Sequence, residues 1–176
     1  RTLYNPYQDS NFKPTTVTLF TTSDCELRCT YCYAAAGEKK YYMEWEMAKS
    51  AIDLLIVNAK EKKQEEVGIT FHGGGEPLYG KSFQLIRQIA EYARKVMPKN
   101  NLNYYLAAAT NGILSKQQLE WVMANFRRLT ISIDGPKEIQ DKQRPLKNGQ
   151  GSFNLVMKTI KRMEEANFPY GIRVTV

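Results

Sequence analysis

Cys25, Cys29 and Cys32 are the only three cysteines of the chain, and they sit within eight residues of one another. An odd count with no distant partner is a poor disulfide framework and fits a reducing compartment, so a cytoplasmic setting is expected. The spacing C-x3-C-x2-C lets one short loop wrap a single metal centre with all three thiolates turned inward. Two chemistries compete for such a loop. The single histidine, His72, could complete a closed tetrahedral zinc site with the three thiolates. An iron–sulfur cluster is the other reading: it is normally held by four thiolates, and three would leave one iron open to a further ligand.

Other residues could serve a bound group beside the metal. Gly73-Gly74-Gly75-Glu76-Pro77 holds more glycine than a tight turn needs. A backbone without Cβ atoms lets a ligand lie against it and use its free carbonyl and N–H groups. No G-K-[ST] follows, which excludes a phosphate loop, and a surface of carbonyls suits an ammonium group better than an anion. Pro77 removes one donor and biases Glu76 toward extended backbone. Arg144 lies in the polar stretch Gln140-Asp141-Lys142-Gln143-Arg144-Pro145, and its guanidinium offers a bidentate fork for a carboxylate. Ser132 alternates with Ile131 and Ile133, so isoleucines facing outer helices turn its hydroxyl toward the opposite face. His72 is expected to be a hydrogen-bonded structural residue; zinc ligation and a bond to a cofactor are its other readings.

Periodicity shows the elements that must position these groups. Val17 to Phe20 is a buried strand pattern, and the cysteines follow it directly. Met43 to Ala59 carries a helical apolar stripe, and Val67 to Phe71 is a second strand ending at the glycines. An amphipathic helix from Phe83 to Met97 stops at Pro98, and Leu102 to Ala109 is a third strand ending at Thr110-Asn111-Gly112. Ser115 is a plausible N-cap for a helix over 116–126, and Leu129 to Ile133 is a fourth strand ending at Asp134-Gly135-Pro136. A long polar loop to Gly151, a helix over 153–166 and a fifth strand from Tyr170 to Val176 complete the pattern. Strict alternation means an α/β fold with a parallel sheet, either doubly wound or a barrel, in which ligands bind at the rim of strand C-termini. Every unusual element falls on that rim. Trp45 and Trp121 are read as packing on helices, and the scattered methionines as core fillers.

At 176 residues, with 43% hydrophobic and 24% charged side chains, the chain can bury a core without staples. Its net charge of +7 is dispersed: residues 38–66 hold six lysines against seven acids. A basic tail, a membrane span and a secretory leader are therefore not expected, and no aromatic-interleaved basic motif for single-stranded nucleic acid occurs.

Taken together, Cys25-x3-Cys29-x2-Cys32 with Tyr31 and Tyr33, Gly74-Gly75-Glu76-Pro77, Ser132-Ile133-Asp134-Gly135-Pro136 and Arg144 resemble the radical S-adenosylmethionine (SAM) enzymes. Within them the pattern is similar to the anaerobic sulfatase-maturating and peptide maturase (SPASM-type) subgroup, from about Thr15 to Val176. One departure is Gly73, where sulfatase-maturating relatives tend to carry glutamine. The resemblance implies a partial (β/α) barrel of five strands and four helices, with residues 1–176 forming a core domain. A sixth strand, any auxiliary-cluster domain and the general base are then expected beyond Val176.

The resemblance also implies a [4Fe–4S] cluster on Cys25, Cys29 and Cys32, whose open iron is chelated by the amino and carboxylate groups of SAM. Gly74 and Gly75 would receive the amino group, with Glu76 bracing the turn. Ser132 and Arg144 would hold the carboxylate, Tyr31 would lie near the adenine, and Thr110, Asn111 and Asp134 would be ribose-side candidates. One electron, from a donor such as flavodoxin or ferredoxin, would split SAM to a 5′-deoxyadenosyl radical that removes hydrogen from a peptide or protein substrate. An RNA or small-molecule substrate is the nearer alternative reading, and a zinc-stabilised binding module the more distant one.

Overall fold

The computed structural model describes residues 12–175. Its five strands, β1 (Thr16–Phe20), β2 (Glu66–His72), β3 (Asn103–Thr110), β4 (Arg128–Ser132) and β5 (Tyr170–Arg173), pair in parallel in the order β1-β2-β3-β4-β5. A doubly wound sheet reverses its strand order at a switch point; a consecutive order belongs to a barrel segment. Parallel neighbours require crossovers, supplied by α1 (Trp45–Lys62), α2 (Gly80–Val96), α3 (Lys116–Asn125), α4 (Lys137–Gln143) and α5 (Phe153–Glu165).

The expectation of four helices is therefore corrected to five. The segment after Pro136, read as loop, forms the short helix α4, with Arg144 at its C-cap. Its only large apolar residue, Ile139, is exposed, so no apolar stripe marks the helix. What fixes it is polar: Gln140 is fully buried, accepts from the Asp134 N–H at 2.8 Å and donates to Ser152 Oγ at 3.1 Å. The fifth strand also ends earlier than expected, at Arg173.

One face of the sheet carries the core. Val67, Ile69 and Phe71 of β2, Leu106 and Ala108 of β3, and Leu129 and Ile131 of β4 are buried against the helices. Alternation sends Thr70, Ala107, Thr130 and Ser132 to the opposite face, where the side chains are small. Trp45 and Trp121 pack as expected, edge-on to Tyr92 and Phe83 at ring distances of 5.4 and 5.3 Å. Met97 and Met163 are buried in the core, whereas Met47 and Met157 are exposed and fill no gap. Ser115 does cap α3: its hydroxyl accepts from the Gln118 N–H at 3.3 Å, and the Gln118 side chain accepts from the Ser115 N–H at 3.0 Å.

These two features differ in energetic weight. Ile131→Ala, at a position 0% exposed, is expected to lower stability by about 2–5 kcal/mol through lost burial and a cavity. Ser115→Ala, at an exposed cap, is expected to lower it by about 1 kcal/mol. Urea unfolding followed by circular dichroism measures both, and a larger loss for the cap than for the core would contradict this account.

Candidate cofactor site

The cysteine loop leaves β1 and is fastened along both flanks. Asp24 is buried: its carboxylate accepts from the Cys25 N–H at 3.0 Å and from the Tyr42 hydroxyl at 2.8 Å, and it pairs with Lys40 at 3.2 Å. Burial opposes its charge, but the Tyr42 and Lys40 hydrogen bonds prevail and hold it below the usual carboxylate range. Arg28 reaches back into the loop and donates to the carbonyls of Cys25 and Leu27 at 3.0 and 2.6 Å, and to Ala36 and Gly37 at 3.3 Å each. The other flank pairs with the segment after α4. The Arg28 and Thr30 N–H groups donate to the Pro145 and Gln143 carbonyls at 2.8 and 2.9 Å, and the Lys147 N–H donates to the Glu26 carbonyl at 3.0 Å. Leu27 is buried at the centre of this strap, against Leu146.

The glycine turn is fixed to the same loop. The Gly75 and Glu76 N–H groups donate to the Thr22 and Asp24 carbonyls, each at 2.8 Å. At Gly75 a Cβ would run into the Asp24 carbonyl, so protein packing itself demands glycine. Gly74 is different. A Cβ there would meet nothing closer than Ala34 Cβ at 3.7 Å, so the protein leaves that space open toward the cavity. Among the described residues no hydrogen bond ends on the Gly74 carbonyl. Glu76 is 3% exposed and accepts from the Leu78 N–H at 3.0 Å, the Thr110 hydroxyl at 2.7 Å and the Asn111 N–H at 2.6 Å. Burial, followed by the neighbouring Glu26 carboxylate, pushes its pKa above the carboxylate range against the pull of those three donors.

Arg144 is not the solvated loop charge that its polar surroundings imply. It is 7% exposed, donates from Nε to Asp134 Oδ2 at 2.8 Å, and lies 5.3 Å from the centre of the Tyr31 ring. The Tyr31 hydroxyl donates to the same Asp134 oxygen, and the Thr175 N–H donates to the other at 3.1 Å. Burial works against the Asp134 charge, but Arg144 and Tyr31 together hold the carboxyl below its ordinary range. Burial and the bond to Asp134 push the Tyr31 phenol up to about 12.

The expected site residues come together at one cavity of about 330 Å³, a small-molecule size. Cys25, Cys29, Cys32, Tyr31, Gly74, Gly75, Glu76, Thr110, Asn111, Ser132 and Arg144 all line it, while Asp134 stands behind Arg144. Thr110 and Asn111 are already engaged by Glu76, and the Asn111 amide points at Cys25 Sγ, 3.9 Å away. His72 is engaged away from the thiols: its Nδ1 bonds the Gly73 carbonyl at 3.2 Å and its Nε2 meets Arg173 Nη1 at 2.6 Å. Sequence reasoning missed Asp24, Arg28, Tyr42, Gln140 and Arg173. Only Asp24, beside the first cysteine, carries a positional signal.

The donor set fits a thiophilic metal group. All three thiols are free and open on the same cavity. Burial, then the Glu76 and Glu26 carboxylates, pushes the Cys25 thiol up to about 12, and burial also raises Cys29 against the pull of Arg144. Such thiols are poor free nucleophiles, whereas metal coordination deprotonates a thiol outright.

Known proteins resemble this chain in sequence and fold. The cysteine-type anaerobic sulfatase-maturating enzyme of Clostridium novyi (strain NT) is 29% identical over 157 residues, covering 88% of this chain and 41% of that protein. The sporulation killing factor maturation protein SkfB of Bacillus subtilis (strain 168) is 28% identical over 168 residues, covering 94% of this chain and 37% of its own. A solved structure of native anSMEcpe with bound AdoMet and the Cp18Cys peptide superposes with a TM-score of 0.74 at 26% identity, covering 89% of this chain and 41% of that one. The chain thus spans less than half the length of each of these relatives. A family model described as the radical SAM superfamily matches residues 19–176, well over half of the chain, and the chain belongs to that superfamily.

Proposed function

We propose that these residues form the cofactor-binding portion of a radical SAM enzyme that acts on a peptide or protein. One observation carries the reading: three free thiols, the open notch at Gly74 and the Arg144–Asp134 pair converge on a single cavity. Cys25, Cys29 and Cys32 would hold a [4Fe–4S] cluster. When bound, the cluster and SAM supply one-electron cleavage of the sulfonium and abstraction of hydrogen from substrate.

The chain's own residues bind and orient. The Gly74 carbonyl and its neighbours receive the SAM ammonium, while Gly75 and Glu76 hold that turn against the cysteine loop. Ser132 and the Nη groups of Arg144 receive the carboxylate, with Asp134 fixing the guanidinium plane through Nε. The Tyr31 ring is packed beside Arg144 and offers a face to the adenine. Thr110 and Asn111 act through their bonds to Glu76 and shape the ribose side. A reduced flavodoxin or ferredoxin is the electron source in this reading, and the cytoplasm its setting. Among the described residues no helix is long and apolar enough to cross a membrane. Support for a peptide or protein substrate comes from the relatives: a sulfatase-maturating enzyme, a killing-factor maturation protein and a neighbour with bound peptide.

Anaerobic reconstitution with iron and sulfide is expected to give a brown protein with about four irons per chain, the content of a [4Fe–4S] cluster. Alanine at any one of the three cysteines is expected to abolish it. Stoichiometric zinc in a colourless, anaerobically purified protein would overturn the reading.

The two glycines separate ligand space from packing. Gly74→Ala is expected to leave the thermal midpoint unchanged and weaken SAM binding, whereas Gly75→Ala lowers the midpoint itself. Differential scanning calorimetry with and without SAM checks both, and equal behaviour of the two variants would count against a SAM cradle at Gly74. For the carboxylate contact, Arg144→Gln is expected to weaken SAM binding roughly 10- to 100-fold, the worth of a charge-assisted hydrogen bond, with iron content intact. Unchanged affinity by titration calorimetry would remove Arg144 from the site.

A further inference from the structure

Arg173 has no place in the cofactor-binding account, yet it lines the same cavity. It belongs to β5, registers with Ser132 on β4, and sends Nη1 across to His72 Nε2 on β2 at 2.6 Å. Three strand spacings separate β2 from β5, about 14 Å along a flat sheet. The contact is made because the sheet curls and because the intervening Ala109, Ala107 and Thr130 are small.

Its chemistry follows from hydrogen-bond inventory. An arginine has only donors, so Nε2 of His72 must accept, and the ring proton resides on Nδ1, facing the Gly73 carbonyl. Phe20, 5.5 Å away ring to ring, fixes the remaining freedom of the imidazole. His72 is therefore a neutral post that holds a guanidinium in place. Among the described residues nothing bonds Nε or Nη2 of Arg173, and no carboxylate lies within 4.0 Å of the guanidinium. Arg144, the other arginine of the cavity, is buried and neutralised by Asp134; Arg173 is exposed and is not. A side chain rich in rotamers, already held in one pose, gives up less freedom when it binds.

We infer that Arg173, positioned by His72, is a substrate-recognition residue that takes an Asp or Glu side-chain carboxylate of the peptide. This rests on the function proposed above and names a chemical feature of its substrate. A positive charge at the rim, next to the small neutral side chains Ala109, Thr130 and Ser132, matches one carboxylate. SAM is not the assigned source, because its carboxylate has Ser132 and Arg144, whereas Arg173 stands on the exposed side of the cavity.

The test uses cluster-reconstituted protein and pooled blocked hexapeptides that carry Asp or Glu at the centre, against pools with Asn or Gln there. Wild type is expected to bind the acidic pools about tenfold more tightly, and Arg173→Gln to lose that preference while SAM affinity is unchanged. His72→Leu is expected to erode the preference and His72→Gln, which retains an acceptor, to restore part of it. Equal binding of acidic and amide pools by wild type would overturn the inference. So would a fall in SAM affinity in Arg173→Gln, which would assign the guanidinium to the cofactor. Cluster content and SAM binding of the wild-type sample are read in parallel: their absence sinks the proposed function, whereas their presence without an acidic preference sinks only this inference.

Discussion

The buried carboxyl of Glu76 is the tie on which the rim depends. It sits one residue past the glycines and takes hydrogen bonds from Leu78, two residues on, and from the end of β3, while its N–H binds the Asp24 carbonyl beside the first cysteine. Three loops from three strands thus meet at this one residue, which has almost no access to water. A buried carboxyl is costly unless its oxygens are satisfied, and here both oxygens accept. Remove it, and the three backbone segments lose their common reference point. The cavity wall is a consequence of that junction rather than a separate construction.

Around that junction, packing and ligand space are divided between the two faces of the sheet. The helix-facing residues are large and fully buried, with β-branched and aromatic side chains on β2 and β4. Toward the strand C-termini the opposite face is lined by threonine, alanine and serine, with His72 and Arg173 as larger groups at the rim. Stability and chemistry therefore place few conflicting demands on the same residue. Gly75 and Gly74 show the division within a single turn, one required by the protein's own backbone and the other by nothing in it.

Much of this was legible in the sequence. Periodicity located all five strands to within a residue or two at most ends, because buried parallel strands are continuous apolar runs. The parity of Ser132 between two isoleucines gave its face correctly, and clustering of Cys, Gly and turn residues after successive strands gave the rim. The failures have physical causes. Helix α4 has no apolar stripe, since it is held through Gln140, and a buried glutamine looks like any other glutamine in a sequence. Arg144 was legible as a carboxylate fork, but its burial against Asp134 was not, because that same unrecognised helix carries it back to the end of β4. Arg28 and the Arg173–His72 contact depend on loop closure and sheet curl, which no local window contains.

The strap between the cysteine loop and the segment after α4 bears on the order of assembly. Residues 26–30 pair with residues 143–147 through backbone bonds that can form only after β1 to β4 have docked and α4 has turned the chain back. These are contacts of high sequence separation, which are entropically late in folding. The thiols are therefore expected to reach their shared cavity late in folding rather than in its nucleus. On the proposed reading, iron would then be delivered to a nearly finished barrel wall, and a shortage of iron would leave behind a folded chain instead of an unfolded one.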